Sequence, residues 1–293
     1  MKYVLYNPLA NNKRGESDAR TWANAYGAGE AVFQSVIGLD YKAFFDGLTA
    51  EDEVTLCGGD GTLNYFVNEI YGYEFKMPLF YAKCGTGNDF YKDVEAYEKN
   101  GKIDLKPFIV NLPLVTVNGI KKRFINGIGY GVDGDTCLMG DKVREKDPGA
   151  AIDYSKIAIG LLLGTYKDID GKKQAFDPKN AAVVADGKEY KFTNVWLASA
   201  MHGRYYGGGM MAAPAQNRLE NGGSCKVMTY SSRGRLITLL RFPAFSGGKH
   251  EGKKYLKPVT GKHVTVTFDK PCALQIDGDT VKNVTTYSVD YDE

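Results

Sequence analysis

Residues 54 to 64 read Val-Thr-Leu-Cys-Gly-Gly-Asp-Gly-Thr-Leu-Asn, an apolar run that stops at glycine. Leu63, Phe66, Val67 and Ile70 then follow at the three-and-four spacing of a helix's inner face. A glycine-rich turn therefore joins a strand end to a helix start. Three glycines there allow positive φ and close backbone approach, so the turn's amides and the helix N-terminus can together cradle a phosphate. A tight strand-to-helix turn with no ligand would explain Gly-Gly by itself, and the surrounding chain has to decide between the two.

The surrounding chain repeats the pattern. A strand over 3 to 6 ends in a polar loop from Asn7-Pro8 to Gly15 and leads into a helical stretch around Ala19, Trp22 and Tyr26. Strand 31 to 37, helix 40 to 48, strand 53 to 57, helix 63 to 71 and strand 78 to 82 come next. A second glycine loop, Lys83-Cys84-Gly85-Thr86-Gly87-Asn88-Asp89-Phe90, opens a short helix that Asn88 or Asp89 is suited to cap. Strands alternating with helices specify crossover units and a parallel sheet, with ligands beyond the carboxyl ends of the strands.

After about residue 110 the texture changes. Leu114 to Ile125 is a hairpin around Asn118-Gly119, and Val183 to Tyr190 repeats the device with Asp186-Gly187, both suited to type I′ turns. Further β runs lie at 194 to 200, 225 to 230, 263 to 268, 272 to 276 and 284 to 289, with helical insertions near 135 to 146, 152 to 167 and 233 to 241. The expected fold is an α/β nucleotide-binding domain with a parallel sheet over residues 1–112, followed by a mainly antiparallel β domain over 113–293. The last residues are free to pack back on the first domain, and the active site is expected in the interdomain cleft.

Composition narrows the function classes. A formal net charge of +2 over 293 residues gives no argument for nucleic acid, although scattered Lys and Arg can still form a patch facing anionic lipid headgroups. The cysteines, Cys57, Cys84, Cys137, Cys225 and Cys272, are widely spaced and odd in number, which reads as reduced and cytoplasmic, with neither a disulfide framework nor a zinc site. The apolar run before Asn7-Pro8 is too short for a signal peptide, and Ile157 to Gly164 falls far below the roughly 20 apolar residues that span a bilayer. Membrane contact is thus expected to be peripheral, at the inner face. Self-association stays open.

Gly58-Gly59-Asp60-Gly61-Thr62-Leu63-Asn64 after a strand resembles the nucleotide loop of the lipid kinases that include bacterial diacylglycerol, sphingosine and ceramide kinases. NAD kinases and phosphofructokinases carry a shorter relative of it. Gly85-Thr86-Gly87-Asn88-Asp89-Phe90 resembles the same family's second nucleotide loop, and Asn7-Pro8 its opening motif, with Leu9-Ala10-Asn11-Asn12 in place of the usual Ser-Gly. Asn12 or Lys13 is the substitute for those phosphate contacts. Tyr205 to Pro214 resembles the family's Gly-Gly-Gly-Met segment, after which the family has an Asp-Gly that helps hold magnesium; here Glu220 is the nearest stand-in.

Ile276-Asp277-Gly278-Asp279 reads from spacing as a hairpin turn. The resemblance instead places there the family's Asp-Gly-Glu, whose carboxylate is assigned as general base. The resemblance implies an ATP-dependent lipid kinase with magnesium. It places ATP on Asn7, Pro8, Asn12, Gly58, Gly59, Asp60, Gly61, Thr62, Asn64, Gly85, Thr86, Asn88 and Asp89. Asp277 is the implied base and Asp60 sits on the magnesium–ATP side, the reverse assignment being the competitor. An NAD kinase-like phosphotransferase and a non-catalytic nucleotide-binding regulator are the alternatives. Gly129-Tyr130-Gly131-Val132-Asp133-Gly134 also fits a dinucleotide fingerprint, but it follows a hairpin and lies outside any strand-helix-strand unit, and it better matches the glycine-rich start of the family's second domain. His202, His250 and His263 are too far apart to suggest a zinc cluster.

Overall fold

The structure is a computed structural model that describes residues 1–27, 30–84, 88–147, 149–219 and 223–291. The chain divides into two compact units, Met1–Leu112 and Pro113–Glu293.

In the first unit the elements run β1 (Lys2–Tyr6), α1 (Ala10–Lys13), α2 (Gly15–Ala25), β2 (Val32–Ser35), α3 (Tyr41–Asp46) and β3 (Glu53–Gly58). They continue with α4 (Asp60–Ile70), β4 (Leu79–Lys83), α5 (Asp89–Val94), β5 (Ile103–Asp104) and α6 (Lys106–Ile109). The sheet order is β2-β1-β3-β4-β5, parallel from β2 to β4, with β5 antiparallel at the edge. Val54, Leu56 and Cys57 of β3 are all buried, which is why this strand reads as a continuous apolar run rather than an alternation. Helix α4 buries Leu63, Phe66, Val67 and Ile70, each contributing about 1.5–3 kcal/mol of transfer free energy.

The second unit holds β6 (Leu114–Val117), β7 (Ile120–Arg123), β8 (Gly127–Gly131), α7 (Val132–Lys146), α8 (Tyr154–Leu163), β9 (Tyr166–Lys167), β10 (Lys173–Gln174), β11 (Lys179–Ala185) and β12 (Lys188–Met201). After them come β13 (Tyr205–Tyr206), β14 (Met210–Met211), β15 (Cys225–Ser231), α9 (Arg235–Ser246), β16 (Leu256–Gly261), β17 (His263–Ile276) and β18 (Asp279–Asp290). The main sheet is antiparallel, in the order β16-β15-β12-β11-β17-β18-β6-β7. Asn118 (φ 47°) with Gly119 (φ 78°), and Asp186 (φ 47°) with Gly187 (φ 82°), form the left-handed turn pairs that their sequences call for.

Two features differ from the sequence reading. The runs 263 to 268 and 272 to 276 are one strand, β17, because register shifts between Thr267 and Leu274 absorb Pro271 without ending the ladder. Strand β8 escapes the apolar pattern because three of its five residues are glycine. It pairs antiparallel with both β12 and β17, so Gly129 to Gly134 is not a crossover phosphate loop. Its glycines serve packing instead: a Cβ on Gly131 would lie 2.0 Å from the Trp196 carbonyl oxygen, at a φ of 112°. The closing strand β18 pairs with β17 and β6, within the second unit's own sheet.

Candidate active site

The order β2-β1-β3-β4 means that the chain steps one way from β1 and the other way from β3. The crevice outside the carboxyl ends of two such neighbouring strands is where open α/β sheets bind ligands. Asn7-Pro8 follows β1 and Gly58-Gly59-Asp60 follows β3, so the sheet topology sets these two loops side by side.

The first loop is internally braced. Asn7 Oδ1 accepts the Leu9 N–H at 2.9 Å, and the Asn7 carbonyl accepts that of Ala10 at 3.0 Å. A Cβ on Gly15 would fall 1.9 Å from that carbonyl oxygen, so glycine is what lets α2 begin against the loop. Asn12 lies in α1.

The second loop is closed by glycine as well. A Cβ on Gly58 would sit 2.6 Å from the Thr62 Cβ, so the absence of a side chain lets the first turn of α4 fold back over the strand end. Thr62 and Asn64 are buried in that turn, whereas Gly61 is exposed with open space where a Cβ would be. The N-terminus of α4 is therefore approachable by an anion at its glycine.

Asp60 joins this loop to the next one. Its Oδ2 accepts the Asp89 N–H at 2.7 Å and its Oδ1 the Phe90 N–H at 2.9 Å. The first turn of α5 is thus capped from another loop, and the side chain of Asn88 makes no cap bond. Gly85 and Thr86, also implied as nucleotide contacts, lie outside the described residues. Tyr81 of β4 supports the same junction, its hydroxyl 2.8 Å from the Gly58 carbonyl and 2.5 Å from Asn88 Oδ1. Burial, reinforced by Asp60, pushes this phenol well above its ordinary range, so it stays a neutral donor. Nothing in the glycine motifs points to Tyr81, but a tyrosine in an otherwise apolar strand needs a hydrogen-bond partner for its hydroxyl.

The second unit places Asp277 in the tight turn between β17 and β18, at φ 48°, followed by Gly278 at φ 95°. Its carboxylate accepts three backbone N–H bonds, from Ile125 at 2.6 Å, Asn126 at 2.9 Å and Gly127 at 3.0 Å. On the same segment buried Arg218 donates to the Ile125 carbonyl (2.9 Å) and to Asn126 Oδ1 (3.3 Å). The hairpin turn and the held carboxylate coexist. Asp279 is exposed and ion-paired to Lys122 at 2.6 Å.

Glu220, the stand-in magnesium ligand, lies outside the described residues. Among the described residues no three His, Cys, Asp or Glu side chains cluster as a metal site. Gly207, Gly208 and Gly209 all adopt positive φ in the turn between β13 and β14. His202 is buried with Nδ1 2.9 Å from the Tyr291 hydroxyl, a packed histidine.

A residue that the motifs did not single out is Asp133, in the first turn of α7. Its residue surface is partly exposed, yet both carboxylate oxygens are enclosed and neither has a hydrogen bond of ordinary geometry. Burial pushes its pKa up to about 7, while Tyr206, the Gly134 amide and Gln275 pull it back from nearby. The glycine at 129 makes the room, since a Cβ there would fall 1.6 Å from Asp133 Oδ2. An acid in a helix's first turn is ordinary in sequence, and only the fold reveals that this one is enclosed.

A family model described as the diacylglycerol kinase catalytic domain matches residues 2–111. Residues 2–111 belong to the diacylglycerol kinase catalytic-domain family. That match ends one residue short of the boundary of the first compact unit. The YegS C-terminal NAD kinase beta sandwich-like domain matches residues 169–289. Over 232 residues the chain is 24% identical to "Putative lipid kinase YtlR" of Bacillus subtilis, covering 76% of this chain and 72% of that one. A "Putative lipid kinase" of Staphylococcus epidermidis is 24% identical over 234 residues, with 78% and 70% covered. A crystal structure titled "a putative diacylglycerol kinase" from Bacillus anthracis superposes at a TM-score of 0.64 and 16% identity, over 100% of this chain and 94% of that one. This likeness shows the same fold: an α/β domain with a largely parallel sheet followed by an antiparallel β domain. No helix among the described residues is long and apolar enough to cross a membrane.

Proposed function

We propose that the chain is an ATP-dependent lipid kinase of the diacylglycerol kinase type, a phosphotransferase acting on a lipid hydroxyl. The observation that carries this reading is the bond of the Asp60 carboxylate to the Asp89 and Phe90 amides, which ties the Gly58–Asn64 loop to the first turn of α5 at the switch point of the sheet. Phosphoryl transfer asks mainly for positioning and for charge stabilisation around the transferred group. Amides of the Gly58–Asn64 loop and of the α4 N-terminus supply donors for phosphate oxygens, and the Asn7-Pro8 turn gives the neighbouring wall.

In the proposed reaction the lipid hydroxyl oxygen forms its bond to the γ-phosphorus, the β–γ bridging bond breaks with its electrons leaving on ADP, and the hydroxyl proton passes to a carboxylate. Asp277 is the proposed acceptor and Asp60 the residue on the nucleotide side, with the reverse assignment as the competitor. Magnesium, when bound with ATP, would supply positive charge against the phosphates; the separate second-unit site, where Glu220 stands in for the family's Asp, is proposed to hold magnesium weakly or not at all. The NAD kinase-like alternative draws support from the matched second domain, whose description names that sandwich.

Measuring ADP release from ATP against diacylglycerol, phosphatidylglycerol, a sphingoid base and NAD tests the reading. Turnover with diacylglycerol or another of the lipids is the expected outcome. Turnover with NAD alone would replace the lipid reading with the dinucleotide one, and ATP binding with no turnover on any acceptor would leave a nucleotide-binding regulator.

A further inference from the structure

Helix α9 buries Phe245 and packs Leu239 and Phe242 against the core, yet it also carries apolar residues on its outer side. Thr238 is 1% exposed, its hydroxyl 3.0 Å from the Gly234 carbonyl, whereas Leu236 is 67%, Leu240 74% and Ile237 43% exposed. Leu236 and Leu240 are one turn apart and share a face, the reverse of the arrangement on a helix whose outer side meets water. Helix α9 packs against α8, and Arg235 fastens the two: its guanidinium donates to the Leu161 and Leu162 carbonyls, each at 3.2 Å, and to that of Phe176 at 2.7 Å. Helix α8 in turn exposes Ile159 (43%) and Leu163 (45%), again one turn apart.

The charge around α9 is one-sided. Residues 231 to 260 contain Arg233, Arg235, Arg241, Lys249, Lys253, Lys254 and Lys257 against one acid, Glu251, in a chain whose net charge is +2. A recess of about 600 Å³ beside Ile237 is lined by Arg233, Arg241 and Lys254 together with Ser231 and Ser232, and among the described residues no carboxylate is in its lining. Arg241 stacks 4.2 Å from the centre of the Tyr255 ring, which fixes one of these cations at the recess wall.

We propose that α9 and this recess form a docking surface for an anionic phospholipid bilayer. Leu236, Ile237 and Leu240 enter the boundary between headgroups and acyl chains, while Arg233, Arg241 and Lys254 meet the lipid phosphates. A projecting aliphatic ridge needs a partner that yields to it, and cations with no facing carboxylate need a partner that brings negative charge; an anionic bilayer surface offers both. The inference deepens the lipid-kinase reading by naming the surface through which such an enzyme would reach its substrate, and its binding test does not depend on that reading.

The test is co-sedimentation of the full chain with phosphatidylcholine vesicles, with and without phosphatidylglycerol, at low and raised salt. Binding to the anionic vesicles, weakened by salt, is expected. Leu236→Glu with Leu240→Glu should lower that affinity at least about tenfold, since both changes remove buried apolar surface and bring negative charge toward the lipid phosphates. Arg233→Gln and Arg241→Gln should each lower it roughly fivefold and flatten the salt dependence. A urea midpoint within error of the wild type serves as the folding control for these exposed positions.

The proposal is overturned if the wild type ignores anionic vesicles, binds neutral ones as well, or if the leucine variant binds like the wild type. It is overturned in favour of a second copy of the chain if the wild type is a dimer that the leucine variant dissolves, with no vesicle binding by either. Turnover on the lipid acceptors of the assay above, with diacylglycerol supplied as a dispersed short-chain form, separates the two readings. Vesicle binding without turnover keeps this surface and sinks the kinase, and turnover without vesicle binding does the opposite.

Discussion

The carboxylate of Asp60, at the first position of α4, receives the backbone N–H of Asp89 at 2.7 Å, so an acid of the Gly58–Asn64 turn holds the start of helix α5. Its second oxygen receives Phe90 at 2.9 Å. An asparagine offers one carbonyl oxygen and an NH₂ that would face an N–H donor. Asp60→Asn should therefore cost the first unit about 1.5–3 kcal/mol, the usual worth of hydrogen bonds to a charged group, as well as weakening nucleotide binding. Trp22 lies in the first unit and Trp196 in the second, so a Trp196→Phe background lets fluorescence follow the first unit during urea unfolding. An unchanged midpoint for Asp60→Asn in that background would show that this bridge carries no weight.

Gly58 and Thr62 make a second coupled pair. A Cβ added at Gly58 would be 2.6 Å from the Thr62 Cβ, closer than real carbons approach, and a Cβ cannot swing away as a chain end can. Gly58→Ala should destabilise the first unit by about 1–3 kcal/mol. Thr62→Ala keeps the obstructing carbon, so Thr62→Gly is the change that relieves it. In that background Gly58→Ala should cost at least about 1 kcal/mol less, and additive losses would refute the contact. Gly59, at φ −107°, has an ordinary backbone, so Gly59→Val should fold and lose ATP through blocked approach alone.

The parts of this site that depend on neighbours in sequence were readable from the chain, and the parts that depend on distant pairing were not. The Gly58–Asn64 turn announces itself because strand texture, glycines and helix spacing lie within one short window. Asn118-Gly119 and Asp186-Gly187 do so because two residues alone decide a type I′ turn. Strand β8 was invisible because glycine carries no alternation, and its strand character is conferred by β12 and β17, far along the chain. The partner amides of Asp60 could not be read either, since Asn88 offered a local cap that the fold does not use. For Asp277, the local turn was legible and the three amides of residues 125 to 127 were not.

Asp133 gives a pH dependence with a definite sign. Burial raises its folded-state pKa to about 7, well above that of an unfolded aspartate, so the native state favours the protonated form. The associated stability is complete below the unfolded pKa, near 4, and is lost as pH rises through about 7. Asp133→Asn is neutral throughout and escapes that loss. Between pH 4 and 8 the variant should gain on the wild type by on the order of 3 kcal/mol, and urea titrations at several pH values read the difference directly. A gap between the two proteins that does not change with pH would contradict the enclosure of this carboxylate.

Asp277→Asn is the obvious test of a general base, and the structure shows that it is not a shape-preserving one. The three backbone groups that the carboxylate holds, the amides of Ile125, Asn126 and Gly127, are donors. An ionised carboxylate accepts from all of them, whereas an asparagine must turn its NH₂ toward at least one. One buried donor left without an acceptor costs about 1–3 kcal/mol, so the variant should lower the unfolding midpoint of the second unit, followed by Trp196 in a Trp22→Phe background. Turnover should fall as well, by roughly 10²- to 10⁴-fold if Asp277 accepts the hydroxyl proton. The two effects separate by titration: turnover is measured at urea concentrations where wild type and variant have equal folded fractions. A deficit of that size persisting there, with ATP affinity little changed, belongs to the chemistry. A deficit that vanishes at matched folded fraction makes Asp277 an anchor for the segment it holds, and the base is then to be sought at Asp60.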